Sequence, residues 1–307
     1  MDADVMVIGG SFAGMSAALQ LVRGQRQVIV IDGRSPRNRF AAASHGFFGL
    51  DGVSPEEIHE RGLEQLLRYP TARVIEGQAS TAAQIEGGFL VTLASGTAFS
   101  ARKLILATGL KDELPDIPGI EERWGQTVIH CPYCHGFELR NRPLGVLATS
   151  HLSAHQAGMI PDWGPTTYFT QGTFEPDPEQ RDYLQKRDVT IEHAPVVEVL
   201  GEAPALSGVR LADDRVIELG GLYIGPKTRM ASPLAEQLGC VFYDGPMGPV
   251  VQVDDLKQTT VQGVFAAGDM SNPMQNATLA AGSGVIAGFN AHRLLMQEDP
   301  ARVAAQA

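Results

Sequence analysis

The chain has 307 residues, 44% hydrophobic and 19% charged, which is the composition of an ordinary globular protein. Its length exceeds the size at which one hydrophobic core stops growing, so we expect two domains. A net charge of −11 without a basic run argues against binding to nucleic acid or to an anionic membrane. Neither a signal-peptide pattern nor a membrane-length apolar run is seen, which predicts a cytoplasmic protein.

The chain opens with the pattern of a βαβ unit. Residues 5–8 form a strand-like run, residues 9–14 a glycine-rich turn and residues 15–22 an apolar helix pattern, and a second strand ends at Asp32. Glycine lets such a turn approach a diphosphate, and the first N–H groups of the helix point at the anion. An acidic side chain after the second strand accepts hydrogen bonds from ribose hydroxyls.

This unit predicts a dinucleotide site, with a ligand-free glycine turn as the alternative. The residues assigned to it are Gly9, Ser11, Phe12, Ala13, Gly14 and Asp32. Ser11 stands where the strict G-x-G-x-x-G fingerprint has its middle glycine. Two later pairs, Thr108-Gly109 and Gly268-Asp269, each close a buried strand, and in this order with the turn they suggest FAD.

The remaining pattern predicts a smaller α/β region inserted into the first. The predicted elements are a helix at 54–68, strands at 72–76, 88–93, 98–106 and 144–148, a β-rich stretch at 189–225, a strand at 261–267 and a helix at 276–296. Proline- and glycine-rich stretches at 111–124 and 225–249 separate the two regions.

The run Cys131-Pro132-Tyr133-Cys134-His135 carries the clearest chemistry. A C-x-x-C pair in a reducing compartment is typical of a redox disulfide or of half a zinc site. Zinc normally needs two more ligands, and the remaining Cys240 lies among apolar residues, so we favour redox chemistry. Proline suits a first helical turn, which predicts Cys131 as a helix N-cap whose thiolate is stabilised by backbone N–H groups.

Two residues after the cysteines bear on this helix. Gly136 is expected to limit how far the helix runs. His135 could move protons between thiol and substrate near neutral pH, or it could be a polar residue at a domain junction.

These motifs resemble those of the low-molecular-weight thioredoxin reductase family over nearly the whole chain. The resemblance is carried by residues 9–14, 107–109, 131–137, 268–269, 275–277 and 281–284. It implies an α/β fold of two Rossmann-like (FAD/NAD(P)-binding) domains and a homodimer. It also implies that Cys134 sits against the flavin C4a, that Cys131 exchanges with the partner disulfide, and that His135 replaces the family's usual aspartate as the proton donor.

The resemblance also sets the expected domains and the remaining cofactor residues. Residues 1–114 and 243–307 are assigned to the FAD domain, and 115–242 to a degenerate NAD(P)-binding-like domain with the cysteine pair. By position in the family, Asn38 and His45 lie near the flavin, and the expected cofactor contacts are completed by Val74, Thr108, Gly109, Gly268, Asp269, Asn276 and Ala277.

The inserted region departs from family members that use NADPH. Its first strand leads into residues 148–153, which lack glycine. The next glycine after this strand is Gly158. The loop after the next strand carries Glu175 and Asp177 where a 2′-phosphate would need basic residues. The sequence therefore resembles the NADPH-independent branches, among them dithiol oxidases of the gliotoxin type.

Three functions based on FAD remain open, besides zinc binding by the cysteine pair. The first is dithiol oxidation through Cys131, Cys134, His135 and FAD, with oxygen or another acceptor and a small dithiol or thioredoxin-like protein as partner. The second is a thioredoxin reductase fed by ferredoxin or another non-NADPH donor. The third is a non-catalytic FAD-binding redox module.

Overall fold

The computed structural model describes residues 1–299, so residues 300–307 of the predicted second FAD segment lie outside the described residues. The chain divides into two compact units. The first contains Met1–Arg39, Glu56–Lys111 and the described part of the chain from Thr228 onward, and the second contains Phe40–Pro55 and Asp112–Lys227.

Both units contain strands and helices. Within residues 1–299 the strands are β1 (Ala3–Ile8), β2 (Val28–Asp32), β3 (Ala72–Glu76), β4 (Ala79–Ile85), β5 (Gly88–Leu93), β6 (Ala98–Leu106), β7 (Leu110–Glu113), β8 (Val128–Ile129), β9 (Leu144–Leu147), β10 (Thr166–Phe169), β11 (Thr190–Glu192), β12 (Val196–Leu200), β13 (Gly208–Leu211), β14 (Val216–Glu218), β15 (Gly221–Ile224), β16 (Lys227–Met230), β17 (Phe242–Asp244), β18 (Pro249–Val251) and β19 (Val264–Ala266). The helices are α1 (Phe12–Arg23), α2 (Pro55–Leu67), α3 (Pro132–Leu139), α4 (Ser153–Met159), α5 (Pro178–Lys186), α6 (Leu234–Gln237) and α7 (Ala277–Glu298). Among these residues, no helix is long and apolar enough to cross a membrane.

A seven-stranded sheet forms the centre of the first unit. Its order is β3-β2-β1-β6-β5-β4, with β19 also paired to β6. The pairs β2–β3, β1–β2, β1–β6 and β19–β6 are parallel, and β1 and β2 are buried at every position. Buried parallel strands have continuous apolar sequences, and such runs predicted β1 and β2 from the sequence.

Helices α1 and α7 pack against each other through small residues. A Cβ atom on Gly284 would lie 2.0 Å from the Ala13 carbonyl oxygen, and one on Gly288 would lie 2.6 Å from the Ala17 carbonyl oxygen. Glycine at these two positions lets the helix backbones approach closely.

The second unit is built on a parallel sheet of order β11-β10-β9-β15-β8, with a three-stranded antiparallel sheet of β12, β13 and β14. Its apolar residues form two clusters, one with Trp124 and Phe169 and one with Tyr168 and Tyr223. The predicted strand 144–148 corresponds to β9, which pairs in parallel with β10.

Most predicted elements are confirmed, and the differences have physical reasons. The predicted strands 72–76, 88–93 and 98–106 match β3, β5 and β6, and the helix 54–68 matches α2. Strand β4 was not predicted, because its sequence Ala-Ser-Thr-Ala-Ala-Gln-Ile has few large apolar residues. Helix α3 continues past Gly136 to Leu139, contrary to expectation. Gly136 instead provides close packing, since a Cβ there would lie 2.9 Å from the Trp163 indole nitrogen.

The division into units differs in three places from the predicted ranges, the smallest being residues 112–114, which lie with the second unit. Residues 228–242, assigned to the inserted domain from sequence, lie with the first unit because Leu234, Ala235 and Cys240 join its core. Residues 40–55 lie with the second unit, where Phe40 packs against Gly125.

Candidate flavin and disulfide sites

The loops predicted to bind the dinucleotide follow neighbouring strands of the first unit. Strands β2, β1, β6 and β19 are adjacent and parallel, so their carboxyl ends meet at one edge of the sheet. Asp32 ends β2, the glycine turn follows β1, Thr108-Gly109 follows β6, and Gly268-Asp269 follows β19. The fold therefore brings together the segments that the sequence singled out.

The glycine turn leaves no space for side chains at two positions. A Cβ on Gly14 would lie 1.7 Å from the Gly9 carbonyl oxygen, and one on Gly9, whose φ is +107°, would lie 2.2 Å from the Ala107 carbonyl oxygen. Ser11 is the N-cap of α1, but its side chain makes no capping hydrogen bond. The first N–H groups of this 12-residue helix are thus not capped by the N-cap side chain, as an anion site at a helix N-terminus requires.

Asp32 is held in place at the carboxyl end of β2. Its Oδ1 accepts the Gly10 N–H at 3.3 Å and the Arg34 N–H at 3.0 Å, and its Oδ2 lies 3.0 Å from His59 Nε2. Burial acts to raise the pKa of Asp32, but the hydrogen bonds from His59 and Arg34 outweigh it and hold that pKa below its ordinary value. Sequence analysis missed His59, because no local pattern links it to β2.

The loop after β19 is also fixed by side chains. The Gly268 N–H donates to Ser283 Oγ at 2.8 Å, and Gly268 has a φ of +79°, which glycine adopts readily. Arg37 donates to Asp269 Oδ2 at 3.0 Å and also to Gln275. Arg37 is a second residue that sequence analysis missed, although it lies next to Asn38.

The other predicted cofactor residues have local settings of their own. Asn276 is the N-cap of α7, and its Oδ1 accepts the Thr278 N–H at 2.8 Å, while Ala277 begins the helix. Val74 lies in β3, paired with Val30 of β2. Asn38 lies in a 3-10 helix, Arg37–Phe40. Their contact with a cofactor stays a prediction.

These features fit FAD in the first unit. The residues that would hold it are the turn with Gly9 and Gly14, the carboxylate of Asp32 and the loops at Thr108 and Asp269. The uncapped N-terminus of α1 suits the diphosphate, and the fixed Asp32 carboxylate suits a ribose.

The second unit carries a disulfide between Cys131 and Cys134, whose Cα atoms are 5.3 Å apart. Cys131 is the N-cap of α3 and Pro132 its first residue, which confirms the predicted helix start. His135 follows Cys131 by four residues, so the two lie on the same helical face. Tyr133 is 73% exposed and its ring meets Trp163 edge to face, so this end of α3 is open to solvent.

His135 has histidine and carboxylate neighbours. The His45 ring meets it edge to face with centroids 6.3 Å apart, and His45 Nε2 lies 3.6 Å from Glu138 Oε1. Burial, and then the charge on His45, lower the pKa of His135, while Glu138 acts in the opposite direction. His45 lies in the second unit, beside α3, and its predicted position near the flavin stays a prediction.

The turn after β9 is closed by its own side chains. The buried Ser153 Oγ accepts the Thr149 N–H at 3.1 Å and the Ser150 N–H at 3.3 Å, and Thr149 Oγ1 donates to the Gly225 carbonyl. Helix α4, which follows, has only seven residues. This turn differs from the glycine turn before α1, because a protein hydroxyl takes the N–H groups that a phosphate would use.

The loop after β10 is acidic, as the sequence indicated. Glu175 accepts from Thr170 Oγ1 at 2.7 Å and lies 2.9 Å from His193 Nδ1. Hydrogen bonds from His193 and then Thr170 hold the pKa of Glu175 below its ordinary value, so the carboxylate is charged at neutral pH. The remaining cysteine, Cys240, is buried in the first unit, as expected. In residues 1–299, no group of three or more His, Cys, Asp or Glu side chains is arranged to hold a metal ion.

Comparison with known proteins places these sites in context. A family model described as pyridine nucleotide-disulphide oxidoreductase matches residues 3–154. The chain is 31% identical to the thioredoxin reductase sirT of Leptosphaeria maculans, over 93% of this chain and 92% of that protein. It is 30% identical to the thioredoxin reductase tcpT of Claviceps purpurea, over 96% and 95%. An oxidoreductase structure from Agrobacterium tumefaciens matches with a TM-score of 0.92 at 46% identity, over 97% of this chain and 99% of that chain.

These matches confirm three predictions from sequence. The fold is α/β with Rossmann-type domains, the protein is an oxidoreductase enzyme, and its cofactor is FAD.

Proposed function

Because the chain belongs to the low-molecular-weight thioredoxin reductase-like family of pyridine nucleotide-disulphide oxidoreductases, we propose that it is an FAD-dependent thiol-disulfide oxidoreductase that oxidises dithiols without NADPH. The redox centre of this proposal is the Cys131–Cys134 pair. Its cysteine usage suits the cytoplasm, where thiols are kept reduced and a C-x-x-C pair is free to cycle.

The single observation that carries NADPH independence is the turn after β9. A nucleotide diphosphate there needs the backbone N–H groups of Thr149 and Ser150, and both already donate to Ser153 Oγ. Displacing a buried hydroxyl from two donors would cost free energy that a glycine turn does not demand. The charged Glu175 after β10 would further repel a 2′-phosphate.

The chain's own residues account for the thiol steps. A substrate thiolate attacks Cys131 Sγ, forms a mixed disulfide and releases Cys134 as a thiolate. The second substrate thiolate then displaces Cys131, which leaves the substrate as a disulfide and the cysteine pair reduced by two electrons. His135, one helical turn beyond Cys131, accepts a proton from the incoming thiol. The chemistry that FAD supplies when bound is the two-electron reoxidation of the cysteine pair, with oxygen or another acceptor as the final oxidant.

The test is anaerobic reduction of the flavin by NADPH, NADH and dithiothreitol in parallel. We expect dithiothreitol to bleach the flavin absorbance rapidly and the nicotinamides to act at least about a hundredfold more slowly, a difference of about 2.7 kcal/mol in activation free energy. Rapid bleaching by NADPH followed by reduction of thioredoxin would contradict the proposal.

The relatives supply a second candidate, because sirT and tcpT are both named thioredoxin reductases. In that case the same cysteines would pass electrons outward to a thioredoxin-like protein from a donor such as ferredoxin. Reduced ferredoxin would then bleach the flavin, and thioredoxin would reoxidise it. A flavin that none of these reagents reduces would indicate a non-catalytic module.

We further propose that the enzyme acts as a homodimer through α7. One face of this helix is exposed and apolar, and its members are Leu279, Val285, Ile286, Phe289 and Met296. The opposite face, with Gly284 and Gly288, packs on α1. A surface helix normally exposes polar residues on its outer face, so this stripe suits burial against a second copy.

A further inference from the structure

His59 on α2 brings an imidazole to the carboxylate that ends β2. Its Nε2 lies 3.0 Å from Asp32 Oδ2, and both side chains are largely buried, His59 being 15% and Asp32 12% exposed. An ionised carboxylate only accepts hydrogen bonds, so His59 donates from Nε2. A hydrogen bond to a charged oxygen is stronger than one between neutral groups, so this contact holds one oxygen of Asp32 firmly.

The second oxygen of Asp32 is held by backbone groups. Its Oδ1 accepts the Gly10 N–H at 3.3 Å and the Arg34 N–H at 3.0 Å. The carboxylate also lies directly against the glycine turn, because a Cβ on Gly10 would be 2.6 Å from Asp32 Cγ. Asp32 is therefore fixed from two sides, by the backbone around it and by His59 of α2.

The hydrogen bonds to Asp32 leave little of its acceptor capacity unused. An ionised carboxylate offers about four lone-pair positions. With the partners that residues 1–299 supply, both positions on Oδ1 are taken by backbone N–H groups and one on Oδ2 by His59, so one position on Oδ2 remains. A single hydroxyl donor can occupy it, and an acidic side chain at the end of the second strand is where a dinucleotide places its ribose.

Helix α2 does not depend on His59 for its position. Leu63 and Leu66 follow His59 by four and seven residues and so share its helical face. Leu66 is fully buried in the core of the first unit, and Leu63 packs against that core. These apolar contacts dock the helix, so the hydrogen bond of His59 acts on Asp32 rather than on the docking of α2.

We propose that His59 is a positioning residue of the FAD site: by holding Asp32 Oδ2, it fixes the carboxylate so that its one remaining acceptor position binds a hydroxyl of the adenosine ribose. His59 acts through Asp32 and not on the flavin ring. Its contribution is preorganisation, because a carboxylate that is already fixed loses less conformational freedom when the ribose binds. Loss of His59 should therefore weaken the binding only of ligands that carry this ribose.

The experiment starts from the holoenzyme and compares three ligands. Dilution releases FAD, whose fluorescence gives its dissociation constant, and FMN or ADP added in excess displaces the bound FAD and so gives its own affinity. FAD and ADP contain the adenosine ribose, and FMN lacks it. The variants are His59→Ala, His59→Gln, whose amide nitrogen can donate in place of the imidazole Nε2, and Glu60→Ala, a matched control at the next, exposed residue of α2.

We expect His59→Ala to weaken the binding of FAD and of ADP about tenfold each, the effect of one lost hydrogen bond to a charged group, and to leave FMN binding unchanged. His59→Gln should stay within about twofold of the wild type, and Glu60→Ala should match it. Unchanged FAD binding in His59→Ala, or equal losses for FAD and FMN, would overturn the inference, since a merely structural role does not distinguish the two flavins. Equal losses in the alanine and glutamine variants would also overturn it.

A coupled variant tests whether His59 acts through Asp32. In an Asp32→Asn background the charged oxygen is gone, so adding His59→Ala should change FAD affinity by less than about twofold, and a loss of about tenfold in both backgrounds would refute the inference. If His59→Ala fails to fold, His59→Asn replaces it, because its amide is on a side chain one methylene shorter than that of glutamine and should lose the contact. None of these measurements requires turnover, so their outcome is independent of dithiol oxidation.

Discussion

The two cysteines lie three residues apart but occupy different electrostatic positions. Cys131 is the N-cap of α3, where the helix dipole and the first N–H groups stabilise a thiolate, and Cys134 lies inside the first turn. In the second exchange step, in which Cys131 is displaced from the mixed disulfide, a stabilised thiolate is the better leaving group. This difference supports the roles given to the pair, with Cys131 exchanging and Cys134 passing electrons onward.

Replacing Cys134 with serine tests those roles at the level of one atom. We expect Cys134→Ser to bind FAD but to lose dithiol turnover, because Cys131 then has no partner with which to hold two electrons. The long-wavelength absorbance that a thiolate gives beside a flavin should also disappear on titration with dithiothreitol. The control is Cys240→Ser, in the buried core of the first unit, which should lose stability but keep this absorbance. An unchanged absorbance in Cys134→Ser would mean that its sulfur does not face the flavin.

At the scale of elements, two strand–turn–helix segments with the same topology have opposite chemistry. The turn before α1 has glycine in close backbone contacts and an N-cap serine that makes no capping hydrogen bond. The turn before α4 has its N–H groups satisfied by Ser153. The first turn is suited to bind an anion. In the second turn, the backbone N–H groups already have an acceptor within the protein.

Gly14→Ala tests the first turn. The added methyl would lie 1.7 Å from the Gly9 carbonyl oxygen, so the turn must open. We expect the free energy of unfolding to fall by about 1–3 kcal/mol and the purified protein to contain less FAD. Gly62→Ala, in α2, is the matched control, because a Cβ there meets no atom within 4 Å. Equal FAD content in the two variants would argue against this turn as the diphosphate site.

Ser153→Ala tests the second turn. Removing the hydroxyl leaves the Thr149 and Ser150 N–H groups without their acceptor, at a cost of about 1–3 kcal/mol in unfolding free energy. Urea denaturation measures the loss. Ser95→Ala, which removes an exposed hydroxyl, should change the free energy by less than about 0.5 kcal/mol. If both variants are equally stable, Ser153 does not close the turn.

At the scale of the whole molecule, the apolar face of α7 predicts self-association. Two charges introduced by Ile286→Glu and Phe289→Glu should weaken the dimer at least about a hundredfold, because each carboxylate would have to be buried unpaired. Sedimentation velocity at several concentrations measures the effect. The control is Phe48→Glu. Phe48 lies outside α7 and is 98% exposed, so this change should leave the dimer intact. A wild-type chain that sediments as a monomer at all concentrations would contradict the proposed homodimer.

Local patterns in the sequence determined much of this protein. Continuous apolar runs predicted the buried parallel strands, Gly9 to Gly14 predicted the turn before α1, and Pro132 predicted Cys131 as an N-cap. Each of these features depends on residues that are close together in the sequence. Local backbone geometry and burial therefore make it predictable from the sequence.

The tertiary structure alone decided the contacts between distant segments. It brought His59 to Asp32, Arg37 to Asp269 and His45 to Glu138. These are pairs of polar side chains whose partners lie far apart in sequence, and no periodicity marks them. The interaction of each pair depends on a short distance between the two side chains, and that distance exists only after the strands and helices have packed.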